Sequence, residues 1–483
     1  EDMCCRDTVS PRSVVTPFRL LLSLDCARCF SNRPYAHPLH VDMDRVTLEC
    51  IVFLPAPCAA LIVAQERADN AGHGPCVDLT LGYYQHHNDG DTRTGGIDTL
   101  QLRHAGGGSG TADARGDAPA DHGAPGKSPS YCPLEGGGVF DLVVPSRSRG
   151  SSSEVMASSI LAVCTDNCVR WWPRQPASPG TSVVQFAVGS ASQTGGMLTS
   201  AAPLTDAVAC TYQGGMASLH PWLPDGTTAL LSGYDDDPHR RTLWRAHNYD
   251  AWCVREVPLS GSARSLLATG GDDGRLCLWD RRSQLHDLRP SQQTVLTAGV
   301  TSVVPVHRAA TGGWQPSEED DSMPSAGSQE ADSCYVCATS YGGEVAIYDT
   351  RRFKCPVSQL PCCRESGVWR LRHVPCSGGV WVAAGMQSGA AVVDMRAAPA
   401  PSWPSPLSFH HTSHRTEEGE GGSLLNSHDT ATGDCPLLVY DAAAFGFAAA
   451  STDDEGSFYV VTTDFYAKEL RRWRVDLGGR PSR

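Results

Sequence analysis

Apolar positions along this chain come in short alternating runs separated by turns of Asp and Gly, the period of a strand and not of a helix. The clearest run is Leu266-Leu267-Ala268-Thr269-Gly270-Gly271-Asp272-Asp273-Gly274-Arg275-Leu276-Cys277-Leu278-Trp279-Asp280. It reads as an apolar strand, an acidic glycine turn, an alternating strand and a Trp-Asp end, which together make a hairpin. The same unit returns at 336–349 and 381–394, and 45 positions separate Asp349 from Asp394. Weaker copies lie at 77–85, 160–172, 206–220 and 458–473. Such a hairpin cannot bury both its faces alone, so each copy needs neighbours on either side.

A spacing of 45 is close to the ~40–45 residues of one four-stranded propeller blade. Asp280 and Asp349 stand 69 positions apart, and a polar run rich in Ser, Glu, Asp and Gly at 308–332 accounts for the excess. Helical signal is nearly absent. The expected fold is an all-β propeller of the WD-repeat type with about seven blades, occupying 37–483 and following a partly disordered N-terminal segment at 1–36. Runs near 90–138, 308–332 and 398–422 are poor in apolar residues and read as long solvated loops. The longest apolar run, 51–63, is interrupted by Pro55 and Pro57 and reads as buried strand, too short for a membrane span of ~20 residues.

Charge and cysteine content narrow the partners. The chain carries 39 Lys and Arg against 53 Asp and Glu, a formal charge of -14, which argues against a nucleic acid held by phosphate contacts. No membrane association is expected. The opening segment lacks a basic, apolar and cleavable leader pattern, so the expected location is cytoplasmic. The 20 Cys are scattered through strand-like runs and read as reduced core thiols. Two Cys-x-x-Cys pairs, Cys26/Cys29 and Cys334/Cys337, lie far apart and have no matching His set. Neither a metal nor a cofactor is expected.

Several strings are more particular than the blade pattern. Ala246-His247-Asn248-Tyr249-Asp250-Ala251-Trp252 precedes the Gly270–Gly274 turn and Trp279-Asp280. Ser340-Tyr341, Asp349-Thr350-Arg351, Gly367-Val368-Trp369-Arg370, Met386-Gln387-Ser388-Gly389, Ser427-His428, Leu438-Val439-Tyr440 and Phe465-Tyr466 follow in order, and Gly82-Tyr83-Tyr84-Gln85 stands near the start. In these strings the chain resembles the diphthine methyl ester esterases, WD-repeat enzymes of diphthamide synthesis. The resemblance implies hydrolysis of a methyl ester on the modified histidine of elongation factor 2, giving diphthine and methanol, with elongation factor 2 as substrate and partner. The chain departs from the family at Gly342-Gly343, where the family tends to have Asp-Glu, and at Gln387, where it has His.

Ester hydrolysis needs an activated nucleophile, a base and donors for the developing oxyanion. No Gly-x-Ser-x-Gly elbow occurs, so the groups must come from propeller loops. The candidates are His428, His247, Asp272 and Asp273 as base and acid, with Ser340, Ser427 or a water as nucleophile. His247 and the turn acids are equally at home in the structural hydrogen-bond network of a WD blade. The trimethylammonium of the substrate calls for aromatic faces, and Trp252, Trp369, Tyr440 and Tyr466 are candidates, each also suited to blade core. Arg370, beside Trp369, could hold the ester carbonyl or a carboxylate product. Two other readings stand beside the enzyme. One is a non-catalytic scaffold; the other is a ubiquitin-ligase substrate adaptor, drawn from Asp349-Thr350-Arg351 and Trp279-Asp280-Arg281-Arg282.

Overall fold

Each alternating run becomes a strand and each Asp-Gly turn a hairpin, because successive side chains then reach opposite faces and both faces can be buried. The computed structural model describes residues 46–67, 76–87, 92–103, 132–134, 137–144, 159–173, 184–187, 194, 196–204, 206–221, 242–258, 265–281, 289–308, 313–317, 335–363, 366–375, 377–396, 407–409, 438–446 and 457–476. The chain divides into two units, 1–41 and 42–483; the first lies outside the described residues.

Seven antiparallel sheets make seven blades, and the chain is a WD-repeat-like β-propeller. From the axis outward, blade 1 comprises Cys58–Arg67, Cys76–His87, Thr92–Arg103 and Cys132–Pro133; blade 2, Val139–Val143, Ser159–Cys164, Cys168–Pro173 and Val184–Ala187. Blade 3 is Leu198–Pro203, Ala207–Tyr212, Met216–Pro221 and Thr242–Arg245; blade 4, Ala251–Pro258, Ser265–Gly271, Arg275–Asp280 and Gln292–Val295. Blade 5 holds Val300–Arg308, Tyr335–Ser340, Glu344–Asp349 and Ser358–Pro361, with Trp314–Pro316 paired to the free edge of its innermost strand. Blade 6 holds Val368–His373, Val380–Gly385, Gly389–Asp394 and Leu407–Phe409. Blade 7 is completed from the other end of the chain, since Val46–Phe53 pairs with Glu469–Asp476 beyond Val439–Phe445 and Ser457–Asp464.

Apolar burial lies between blades. Seven clusters each join two consecutive blades, including one that packs Leu61 and Leu81 of blade 1 against Phe445 and Val461 of blade 7 and so closes the ring. An eighth, on the axis, joins residues from several blades.

Three expectations change. The run 51–63 is two strands of different sheets, because Pro55 and Pro57 cannot continue a ladder; Ile51 and Phe53 sit on an outermost strand and are exposed, while Leu61 and Ile62 are buried on an innermost one. The segment 90–138 is not all loop, since Thr92–Arg103 is the third strand of blade 1 and buries Ile97, Leu100 and Leu102. Its Gly95 is required there: a Cβ would meet Tyr83 O at 2.0 Å. Likewise Trp314–Pro316 and Leu407–Phe409 fall inside the other two runs read as loops.

Every innermost strand carries one extra residue near its start, where the register with its neighbour slips. Such a bulge breaks the two-residue alternation and re-aims a side chain. The bulged positions are Ala59, Phe140, Thr199, Trp252, Thr301, Trp369 and the Tyr440-Asp441 pair. The two threonines tie adjacent blades together: Thr199 Oγ1 donates to Ala251 O of blade 4 at 2.5 Å, and Thr301 Oγ1 to Val368 O of blade 6. Thr199→Val and Thr301→Val keep the shape but strand a buried carbonyl, so each is expected to destabilise the protein by about 1–3 kcal/mol. Urea unfolding checks this; unchanged midpoints in both variants would exclude the proposed tie.

Candidate functional site

Connectivity gives the propeller two unlike ends. Segments 104–131, 222–241 and 318–334 leave and rejoin the blades at one end. The other end carries tight turns between second and third strands, such as 272–274, 341–343, 386–388 and 465–468. The bulges also lie at this turn face, and it is here that the residues of the axial cluster meet.

That cluster comprises Phe140, Met197, Trp252, Trp369, Leu438 and Tyr440, with Tyr341, Met386 and Phe465 packed against it. Trp252 and Trp369 have centroids 5.4 Å apart, and Phe140 stands 6.3 Å from Trp252 and 6.2 Å from Trp369. These three rings come from blades 2, 4 and 6, which are not neighbours, so their contacts cross the axis. Tyr440 lies 5.5 Å from Trp369 and 5.0 Å from Phe465, and Tyr84 closes the circuit at 6.0 Å from Phe140 and 6.3 Å from Phe465. Burial, with Tyr466 and Tyr84 nearby, pushes the Tyr440 hydroxyl well above the usual phenol range. Tyr466 is half exposed beside Phe465.

The turn acids of blade 4 have separate surroundings. Asp273 accepts from His247 Nδ1 (2.9 Å), Asn248 N (3.0 Å) and Arg275 N (3.1 Å). Burial alone would raise Asp273, but His247 and these N–H groups outweigh it and hold the carboxyl below its ordinary range. His247 Nε2 lies 2.9 Å from Thr269 Oγ1, which also accepts Trp279 Nε1–H at 2.9 Å. Both imidazole nitrogens are therefore engaged in an Asp–His–Thr–Trp chain that fixes the blade. Blade 7 keeps the Thr–Trp half, with Trp473 Nε1–H donating to Thr462 Oγ1 at 3.0 Å.

Asp272 points the other way. Although the residue reaches solvent, its carboxyl is turned inward and accepts Trp252 Nε1–H. Burial pushes it up to about 6, against the lowering effect of the Trp252 bond and with the Asp250 and Asp273 carboxylates adding to the rise. Of the groups named from sequence, Asp272, Trp252, Trp369 and Tyr440 are thus brought together, with Tyr466 at the margin.

The remaining described candidates have other surroundings. Ser340 is fully buried; its hydroxyl donates to Glu344 Oε1 at 3.2 Å and accepts from Gly342 N at 3.1 Å. The neighbouring departure from the family pattern has a local cause, since Gly343 has φ +76° and a Cβ there would meet Cys363 O at 1.9 Å. Gln387 N donates to Ser366 Oγ. Arg370 lies behind Trp369, its Cζ 5.6 Å from the ring centroid. Ser427 and His428 fall outside the described residues, as do Cys26, Cys29, Cys334 and Arg282; the segment 410–437 that contains Ser427 and His428 ends at Leu438, a member of the axial cluster. Asp349 and Arg351 form a two-pronged ion pair at the opposite end, repeated by Asp394 and Arg396 one blade on.

Sequence reasoning missed Phe140, Met197 and Asp141. A signal existed in the small or apolar residue, Val and aromatic that open three innermost strands, Gly138-Val139-Phe140, Gly367-Val368-Trp369 and Leu438-Val439-Tyr440.

Asp272 yields a test. Its folded value of about 6 lies above an unfolded value near 3.9, so folding favours the protonated acid. Stability from this group is present below about pH 4 and lost as pH rises through about 6. Asp272→Asn is expected to flatten stability over that window and to remove a tryptophan fluorescence step with a midpoint near pH 6; a step that survives in the variant places the titration elsewhere.

Among the described residues no group of His, Cys, Asp and Glu could hold a metal, and no helix is long and apolar enough to cross a membrane. No family model and no curated protein matches the chain. Solved structures do: a chain in the crystal structure of a mitotic checkpoint complex is 11% identical, with a TM-score of 0.46, over 92% of this chain and 99% of that one.

Proposed function

We propose that the chain is a propeller hydrolase of the diphthine methyl ester esterase type, removing a methyl ester from the modified histidine of elongation factor 2. One observation carries this reading. The strings that resemble the family are scattered from Gly82 to Tyr466, and six of the ten aromatic residues they contain, Tyr84, Trp252, Tyr341, Trp369, Tyr440 and Phe465, gather with Met386 at one end of the axis. Tyr466 stands at the margin, while Tyr83 and Trp279 pack between blades and Tyr249 is exposed. Blade core needs no such convergence, whereas a binding site does.

The chemistry of the cluster suits the substrate. A trimethylammonium is held by aromatic faces and a nearby carboxylate, here Trp252, Trp369 and Tyr440 with Asp272. In the reaction water adds to the ester carbonyl, the bond to the methoxy oxygen breaks, and methanol leaves with a carboxylate remaining. His428, in a string that resembles the family and ten positions before Leu438 of the cluster, is the proposed base. No role is assigned to Gly342, Gly343 or Gln387.

A second reading, a scaffold that binds proteins through its turn face without catalysis, is favoured by the engagement of Ser340 and His247. The described Ser–His pair at hydrogen-bond distance, Ser218 and His220 at 2.7 Å, is buried inside blade 3 with Tyr212. There His220 takes the position that Trp279 has in blade 4.

Purified protein incubated with elongation factor 2 carrying methylated diphthine is expected to release methanol. His428→Ala should lower the rate by about 100-fold or more, the usual loss of a general base. Trp369→Leu should raise KM by roughly 3–30-fold, for a cation–π contact of ~0.5–2 kcal/mol. Binding of elongation factor 2 with the ester left intact would replace the esterase by the scaffold.

A further inference from the structure

Below the aromatic contacts the axis changes chemistry. The residue after each bulge is Asp141 in blade 2, Ser200 in blade 3 and Arg370 in blade 6, and two further guanidinium groups, Arg255 and Arg372, lie farther along their strands. Asp441 of blade 7 belongs to the same tier.

Arg372 is matched: its Nε lies 3.2 Å from Asp441 Oδ1 and its Nη2 2.7 Å from Oδ2, while Leu61 N donates to the same Oδ2 at 3.0 Å. Arg255 Nη1 donates to Ser200 Oγ at 3.1 Å and Val254 O at 2.8 Å, and its Nη2 approaches Asp141 Oδ2 at 3.7 Å. Asp141, fully buried, already accepts from Leu142 N at 2.9 Å and Ser200 Oγ at 3.3 Å.

Arg370 is the exception. Only 2% of it is exposed, and its Nη2 stands 3.1 Å from Asp141 Oδ1 as an ion contact. The N–H groups are not directed at that oxygen, and neither Nε nor Nη2 has a hydrogen-bond acceptor among the described residues. Two guanidinium groups thus share one carboxylate, and a buried charge with unmade hydrogen bonds is costly. Among the described residues Nη2 thus has an ion contact but no hydrogen bond, and Nε has no hydrogen bond, and these two atoms are the right pair. Nε and Nη2 form the side of the guanidinium that accepts two oxygens of one planar anion in parallel bonds.

We propose that the Nε/Nη2 edge of Arg370, with Arg255 as second cation and Ser200 alongside, is a carboxylate-binding site on the propeller axis beneath Phe140, Trp252 and Trp369. The ligand is a monoanion with two coplanar oxygens. The site stands on its own geometry; if the esterase reading holds, the carboxylate it takes is the one that ester hydrolysis leaves, and otherwise it is a free small carboxylate.

Acetate titration of the full chain, followed by the ¹³C shift and linewidth of carboxyl-labelled acetate, tests the site. Wild-type protein should bind acetate but not methyl acetate, and chloride at matched ionic strength should not displace it. Arg370→Lys keeps the charge and loses the fork, so acetate affinity should fall by about tenfold or more, as expected for loss of a two-pronged contact. Arg255→Lys should weaken binding less. Equal binding of acetate and methyl acetate, displacement by chloride, or wild-type affinity in Arg370→Lys would each overturn the site. The wild-type titration alone decides if the Arg370 variant does not fold. Failure of the esterase assay leaves this titration unaffected; acetate acting as a competitive inhibitor of methanol release would identify the product as the natural ligand.

Discussion

One inserted residue near the start of each innermost strand governs the chemistry of the axis. In a regular strand side chains alternate, and every second one would be lost between blades. The bulge interrupts that alternation at the same height in all seven blades. What occupies the interrupted positions then decides what the axis is. The order Ala59, Phe140, Thr199, Trp252, Thr301, Trp369, Tyr440 sets large beside small around most of the ring, so three large rings from alternate blades can touch, while the small threonines bond the neighbouring backbone.

This arrangement separates support from chemistry. The seven interblade clusters hold the ring by apolar burial, and the Asp273–His247–Thr269–Trp279 chain stiffens blade 4. Neither needs the axis. Polar and aromatic groups can therefore be concentrated there without weakening the blades, and the turns around them are short enough to lose little conformational freedom on ordering. The connections 104–131, 222–241 and 318–334 join strand ends at the other end, whereas 410–437 joins the turn face at Leu438.

The blades were legible because a two-residue apolar period and an Asp-Gly turn are local properties, and the units at 266–280, 336–349 and 381–394 display both. Thr92–Arg103 was not, because Gly95, Gly96 and three Thr dilute its apolar residues in a polar run. The 51–63 run misled because Pro55 and Pro57 separate an exposed outermost strand from a buried innermost one while hydropathy stays high throughout. At the site, Trp252, Trp369, Tyr440 and Asp272 could be named from motif strings. Phe140 could not, since its partners come from blades 4 and 6 and only ring closure brings them within reach. Asp141 and Arg255 escaped for a related reason: their meaning depends on a register slip, which leaves no mark in composition.

Blade 7 takes its outermost strand, Val46–Phe53, from one end of the chain and its other three from the opposite end. During synthesis that strand emerges first and its partner Glu469–Asp476 last, so the longest-range pairing in the fold is also the last that can form. Until then the backbone groups of Val46–Phe53 form an unpaired edge, the kind of surface that other chains join. The propeller is thus an open arc until that pairing forms, and closing it joins the two most distant described strands of the fold.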